Sequence, residues 1–177
     1  MIVLMGVAGA GKSMQGRLFA DEHGFAWIST GELFRVLVTG KRRQQMLEGK
    51  LLDDQEVINM VDRAFNLIDL QQEFLLDGFP RTIIQAQWLQ EQIDNHRFNL
   101  TAIFNLIAPL DVIKLRLLAR GRLDDTPESI ALRFKEYNQS TLPILDFFKQ
   151  YQAPVYDIDA NKNPLEVYSD ILAKIKL

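Results

Sequence analysis

GVAGAGKS, Gly6–Ser13, follows five residues, MIVLM, that are all apolar. It has the form G-x-x-x-x-G-K-[ST], with Gly6, Gly11, Lys12 and Ser13 at the fixed positions, and an amphipathic run comes after it. Strand, glycine-rich loop and helix in that order make a phosphate-binding P-loop. The glycines let the backbone curl until several N–H groups point into one concavity, and the following helix turns its positive end on the same spot. Lys12 then reaches the outer phosphates and Ser13 helps place Mg²⁺. A dinucleotide loop is excluded, because G-x-G-x-x-G read from Gly9 and Gly11 requires Gly or Ala where Met14 stands.

At 177 residues the chain is read as one domain, and its 47% hydrophobic content is that of an ordinary globular protein. A net charge of −3 and a pI near 5.4 argue against binding to a nucleic-acid polymer or a membrane surface, while leaving room for local arginine clusters that hold small anions. With no cysteine, there is no disulfide, thiolate catalysis or cysteine-ligated zinc. His23 and His96 lie far apart without metal-ligand spacing and read as surface or helix-end residues. MIVLM is too short and lacks the charged start of a signal peptide, and no apolar run approaches a membrane span, so the expected compartment is the cytoplasm.

Apolar runs and helical patterns alternate along the chain. Strands are expected at Met1–Met5, Phe25–Ser29, Phe74–Asp77, Ala102–Ile107 and Pro154–Ile158. Between them lie the helix Lys12–Glu22, about forty helical residues after the second strand, a helix with Ile84, Trp88, Leu89 and Ile93 on one side, and one containing Leu115 and Leu118. A last helix carries Val167, Tyr168, Ile171, Leu172 and Ile175, and the Leu, Phe and Trp residues of the helices are assigned to the core. Strands this apolar are buried on both faces, and helical crossovers imply a parallel sheet. The fold class is therefore α/β, a P-loop three-layer sandwich of five parallel strands with helices on both faces. Two stretches break the alternation, 31–69 and 121–128, and read as a helical insertion and a very short lid over the site. Ligands of such sheets sit beyond the carboxyl ends of the strands, where this chain puts GVAGAGKS, TGELFR and DGFPRT.

With these segments placed, the chain resembles the adenylate kinase family of nucleoside monophosphate kinases along essentially its whole length. ISTGELFR (Ile28–Arg35), GKLLDDQEV (Gly49–Val57), FLLDGFPRTIIQA (Phe74–Ala86) and RGRLDDTPESIALRFKEY (Arg120–Tyr137) follow one another in the family's order. DGFPR with Gln four residues after Arg is a highly specific pattern; the P-loop alone is shared by many ATP and GTP enzymes.

The resemblance implies that Ala8, Gly9, Ala10, Gly11, Lys12, Ser13, Met14, Arg116, Arg120 and Asn161 bind ATP, with Ala160–Pro164 flanking its adenine. Arg35 and Arg81 would grip the phosphate of the acceptor monophosphate, a task that suits the planar fork of guanidinium. Thr30, Lys50, the backbone around Leu52, Gly78 and Gln85 complete the acceptor site. Arg122 and Arg133 also reach the monophosphate, and Lys12, Arg81, Arg120, Arg122 and Arg133 form the catalytic set. Ser13, Glu32 and Asp77 would position Mg²⁺, mainly through water, and zinc has no role. On their own chemistry, Arg116 and Arg120 are also i, i+4 surface partners, Asp124 and Asp125 are helix starters, and Lys41, Arg42 and Arg43 are a solvated face.

The implied reaction is phosphoryl transfer from ATP to a nucleoside monophosphate, AMP in preference to CMP or UMP because of Thr30 and Gln85, giving two ADP. The acceptor oxygen is already ionised, so no general base is assigned. The competing readings are a CMP/UMP or other P-loop small-molecule kinase, and a nucleotide-binding protein with little turnover. A monomer is the family expectation. Two departures stand out: Ser13 and Met14 replace the family's usual Gly-Thr after the loop lysine, and both covers are short, with only Gly121 between Arg120 and Arg122 and the stretch Val36–Glu48 trimmed.

Overall fold

The computed structural model describes residues 1–175. Its elements run β1 (Ile2–Met5), α1 (Lys12–His23), β2 (Ala26–Ser29), α2 (Thr30–Leu37), α3 (Gly40–Leu47), α4 (Asp54–Phe65), β3 (Phe74–Asp77), α5 (Ile83–Asp94), β4 (Ala102–Ile107), α6 (Leu110–Arg120), α7 (Pro127–Glu136), a π-helical turn (Tyr137–Thr141), α8 (Leu142–Gln150), β5 (Val155–Asp159) and α9 (Pro164–Leu172). All five expected strands are present, in the order β2-β3-β1-β4-β5 and all parallel.

Strand pleating divides the core. Along β1, Ile2 and Leu4 face one helical layer, with Phe19 of α1, Ile113 and Leu117 of α6, and Tyr168 and Ile171 of α9. Val3 and Met5 face the other, with Val61 and Phe65 of α4, Leu89 of α5, and Ile144 and Phe148 of α8. Each wholly buried Phe or Leu is worth about 1.5–3 kcal/mol relative to exposure, so burial on both faces explains why the strands read as unbroken apolar runs.

One residue expected in the core of α5 and two expected in that of α6 lie at the surface. In α5, Leu89 is buried and Trp88 and Ile93 pack partly buried against the same core, as expected, whereas Ile84 is 58% exposed and Gln85, Ala86 and Gln90 are buried beside Leu89. Leu115 and Leu118 are 68% and 55% exposed and are not core; α6 buries Ile113 and Leu117, one turn apart, whose side chains close on Gly9 of the loop. Packing against the loop, rather than the number of leucines, sets the rotation of α6.

The connection expected at 121–128 is tighter still. Gly121 caps α6 in the left-handed region, Thr126 caps α7 by accepting from the Ser129 N–H, and Pro127 opens that helix. Only Gly121–Thr126 is left outside helices. The 31–69 stretch contains α2, α3 and α4, and Ser129 Oγ of α7 donates to the Leu47 carbonyl at 2.7 Å. Among the described residues no helix is long and apolar enough to cross a membrane.

Candidate active site

The chain leaves β1 at the point where the strand order reverses, since β3 lies on one side of β1 and β4 on the other. The loop that follows is pressed against β4. Gly6 has φ 134°, and a Cβ there would stand 2.6 Å from the Leu106 carbonyl oxygen, so no other residue fits. Lys12 Nζ donates to the Gly6 and Val7 carbonyls at 2.7 and 3.0 Å, which uses two of its three donors. Burial pushes this ammonium down to about 8; Asp77 opposes the shift, and the positive charges of Arg81, Arg120 and Arg133 add to it. Beside it, Asp77 at the tip of β3 is buried and accepts from Ser13 Oγ at 2.7 Å and Ser29 Oγ at 3.0 Å.

A cavity of about 410 Å³ opens in front of the loop. Around it stand Arg17, Arg35, Arg81, Arg116, Arg120, Arg122 and Arg133 with Lys12 and Lys50, against Asp77, Asp124 and Glu136. The cations come from α1, α2, the segment after α3, the loop after β3, α6, the connection after it, and α7. Arg120 donates to Asp125 through Nε and Nη2 at 2.9 and 2.6 Å, and the Arg122 N–H reaches the same carboxylate at 3.2 Å. Arg133 pairs with Asp124 and with Asp125. Arg122 and Arg35 share Glu32, at 3.0 and 3.2 Å.

Arg35 also donates to the Gly31 carbonyl at 2.8 Å and leaves its buried Nε without a partner among the described residues. Arg81 donates through Nε to the Gly78 carbonyl at 2.8 Å, and no hydrogen bond from its Nη groups is seen among the described residues. Burial first, and then the neighbouring cations, hold both guanidinium groups below their ordinary pKa, with Asp77 opposing at Arg81 and Glu32 and Asp124 opposing at Arg35. So many cations in a half-enclosed space repel one another, and an anion placed among them lowers that energy.

Arg81 is held from several directions. Gly78, at φ 78°, leaves space for it, because a Cβ there would meet both Thr30 Oγ1 at 2.9 Å and Arg81 Nη2 at 3.1 Å. Thr141 of the π-helical turn donates to the Arg81 carbonyl at 3.0 Å, and the Arg81 N–H donates to Gln85 Oε1 at 2.8 Å. Thr30 Oγ1 lies 2.9 Å from the Gly78 carbonyl and 3.2 Å from that of Asp77, which ties the start of α2 to the end of β3. At the other end of the π-helical turn, Tyr137 lines the cavity and donates to Asn105 Oδ1 at 2.6 Å. Burial and the charge of Asp157 push its hydroxyl up to about 12, with the Asn105 bond opposing, so Tyr137 is a neutral donor.

Of the residues expected at the site, Ala8, Gly9, Gly11, Lys12, Ser13, Met14, Arg35, Lys50, Asp77, Gly78, Arg81, Arg116, Arg120, Arg122 and Arg133 line the cavity. Ala10, Thr30, Glu32, Leu52, Gln85 and Asn161 are not among its lining residues. Glu32 is bonded to arginines of α2 and the 121–126 connection. Among the described residues no three His, Cys, Asp or Glu side chains converge as a metal-binding group. Ser13 and Asp77 nevertheless suit a magnesium ion carried in on nucleotide phosphates, which takes one or two protein oxygens and keeps several waters.

Asp124 and Asp125 do more than start a helix. They are 4% and 7% exposed, Thr126 is the cap, and both carboxylates anchor arginines. Their adjacency to the arginine-rich stretch was the available signal. Thr141 and the π-helical turn gave none, because Thr141's partner, the Arg81 carbonyl, lies 60 positions away in sequence.

A parallel sheet of this order, with a P-loop at its switch point and arginines from several separate segments around one cavity, is the architecture of the P-loop nucleoside monophosphate kinases. Residues 4–153 match the family model described as adenylate kinase. The chain is 39% identical to an adenylate kinase of Corynebacterium urealyticum over 90% of each sequence. It is 34% identical to one of Cyanothece, over 96% of this chain and 92% of that one, and to one of Prochlorococcus marinus, over 98% and 97%. The chain belongs to the adenylate kinase family.

Proposed function

We propose that the chain transfers the terminal phosphoryl group of ATP to AMP, giving two ADP. The observation that carries this reading is the convergence of Lys12, Arg35, Arg81, Arg120, Arg122 and Arg133 on one cavity in front of the P-loop. Two polyanions have to meet there, and their repulsion is the main barrier to overcome.

In this reading, the N–H groups of Ala8–Met14 and Lys12 hold the donor phosphates, with Arg116 and Arg120 beside them and Asn161 near the adenine. Arg35 and Arg81 hold the acceptor phosphate, and Thr30, Lys50, the Leu52 backbone, Gly78 and Gln85 its nucleoside. Arg122 and Arg133 stand between the two ligands. The acceptor oxygen is ionised before reaction, so the protein supplies position and charge rather than a base. Mg²⁺ bound with ATP would neutralise phosphate charge; Ser13 and Asp77 would hold it, while Glu32 orients Arg35 and Arg122. Because 121–126 is a tight turn pinned by Asp125, water is excluded by the arginine side chains and by α2 and α3 rather than by a long flap. The reading also takes a monomer acting in the cytoplasm.

A coupled assay of ADP formation with ATP, Mg²⁺ and each of AMP, GMP, CMP and UMP tests it. AMP is expected to have the highest kcat/KM. Equal or better use of CMP or UMP would move the acceptor to a pyrimidine, and no turnover with any of them would leave a binding protein.

A further inference from the structure

Gln85, read as the contact to the acceptor base, carries an amide that can both donate to and accept from a base edge, yet an amide read this way is ambiguous. Turned by 180° about its last bond, it presents donor and acceptor in the opposite order. Adenine offers an amino donor next to a ring-nitrogen acceptor; hypoxanthine offers a carbonyl acceptor next to a ring N–H donor. One orientation of Gln85 suits the first base, and the flipped orientation suits the second.

The structure fixes the orientation from two sides. The Arg81 backbone N–H donates to Oε1 at 2.8 Å, and Nε2 donates to Asp54 Oδ1, also at 2.8 Å. A backbone N–H has no lone pair to offer and a carboxylate has no proton to give, so each partner accepts only one amide atom. Flipping the amide would set N–H against N–H at one end and oxygen against carboxylate at the other. Asp54 is itself held, because Thr82 Oγ1 donates to the same Oδ1 at 2.8 Å while accepting from the Gln85 N–H at 3.3 Å. After these bonds the amide retains one N–H and one lone pair, which is the complement of a 6-aminopurine.

We infer that Asp54, the first residue of α4, is a specificity-determining positioning residue: by locking the Gln85 amide it makes the acceptor site choose a 6-aminopurine over a 6-oxopurine. The inference rests on the reading of Gln85 as the base contact. It gives a task to a residue that is not among those lining the cavity and lies 31 positions away in sequence from the side chain it orients.

The test compares kcat/KM for AMP and for inosine monophosphate, two acceptors whose bases differ only at position 6 and the adjoining ring nitrogen, on one preparation of each variant. Asp54→Asn keeps the shape and supplies an amide that can donate to a flipped Gln85. With one of the two locks removed, the AMP-over-IMP preference is expected to fall by about tenfold, with the KM for ATP unchanged. Asp54→Ala, which removes the anchor outright, is expected to do the same. A ratio measured on one preparation does not depend on the fraction folded, so a merely structural role would leave it alone. The inference is overturned if both variants stay within about twofold of the parent preference while Gln85→Ala loses it. If Gln85→Ala also keeps the preference, the base-contact reading itself fails and the inference falls with it.

Discussion

The Asp125 carboxylate accepts both Nε and Nη2 of Arg120, at 2.9 and 2.6 Å, in the fork-to-fork arrangement that best fixes a guanidinium. Asp125 therefore aims Arg120, and with it Arg133, at the cavity. Burial pushes the Asp125 pKa up, but the Arg120 hydrogen bond and charge, the Arg122 N–H and Arg133 outweigh it and leave the group below its ordinary 3.8. A depressed carboxyl contributes stability above its unfolded pKa, and that contribution is lost as pH falls through the folded value. Asp125→Asn is expected to cost about 2 kcal/mol near neutral pH, between an exposed and a fully buried pair, and to lower kcat more than either KM. Denaturant titrations from pH 7 down to acid should show a shallower loss of stability below about 3.8 in the variant. An unchanged acid limb would mean that the pair does not stabilise the fold.

Lys12 gives a pH signature of the same sign in a higher window. Its ammonium titrates near 8 in the folded chain and at 10.5 when unperturbed. The unfolded state therefore binds more protons between those values, and stability should rise with pH across that window from this group and be flat below it. Binding of nucleotide phosphates restores the charge, so ATP binding at pH 8 should take up protons while binding at pH 6.5 should take up far fewer through this group. Calorimetry in buffers of different ionisation enthalpy measures this, and Lys12→Met should remove the difference. Lys12→Ala is expected to leave the circular dichroism spectrum intact and reduce kcat by about a thousandfold or more.

Arg81 and Arg120 serve different ligands if the acceptor lies toward β3 and the donor toward α6. Arg81→Ala is expected to raise the KM for AMP by about tenfold or more with little change in that for ATP. Arg120→Ala should instead lower kcat by about a hundredfold. Steady-state kinetics with each substrate varied in turn separates the two, and equal small effects would make both arginines surface residues.

How much of this was visible in the sequence depends on the range of the signal. The P-loop and the strands are local patterns, and Gly6, Lys12, Asp77 and Arg81 lie where those patterns put them. The rotation of α6 was not legible, because LDVIKLRLLAR carries apolar residues on nearly every side, and only the seat of Ile113 and Leu117 against Gly9 selects one face. Asp124 and Asp125 looked like helix-start residues until the fold brought Arg120 and Arg133 onto them. Asp54 and Thr141 act through Gln85 and the Arg81 carbonyl, partners that no spacing rule connects to them.

Ser13 offers the last prediction. Its hydroxyl stands one position before the usual family threonine, and the next position is filled by Met14, which is 51% exposed on the cavity. Among the described residues, the hydroxyls that donate to the Asp77 carboxylate are those of Ser13 and Ser29, and Ser29 is the more buried, at 6% exposure. Ser13 uses its single proton on Asp77 and keeps its lone pairs for a cation or its water. Ser13→Ala is thus expected to leave the melting temperature within a few degrees of the parent and to raise the Mg²⁺ concentration giving half-maximal rate by about tenfold, with a smaller effect at saturating Mg²⁺. Rates measured across a Mg²⁺ titration at fixed ATP and AMP decide it: a uniform loss of rate at every Mg²⁺ concentration would mean that Ser13 shapes the loop and does not place the metal.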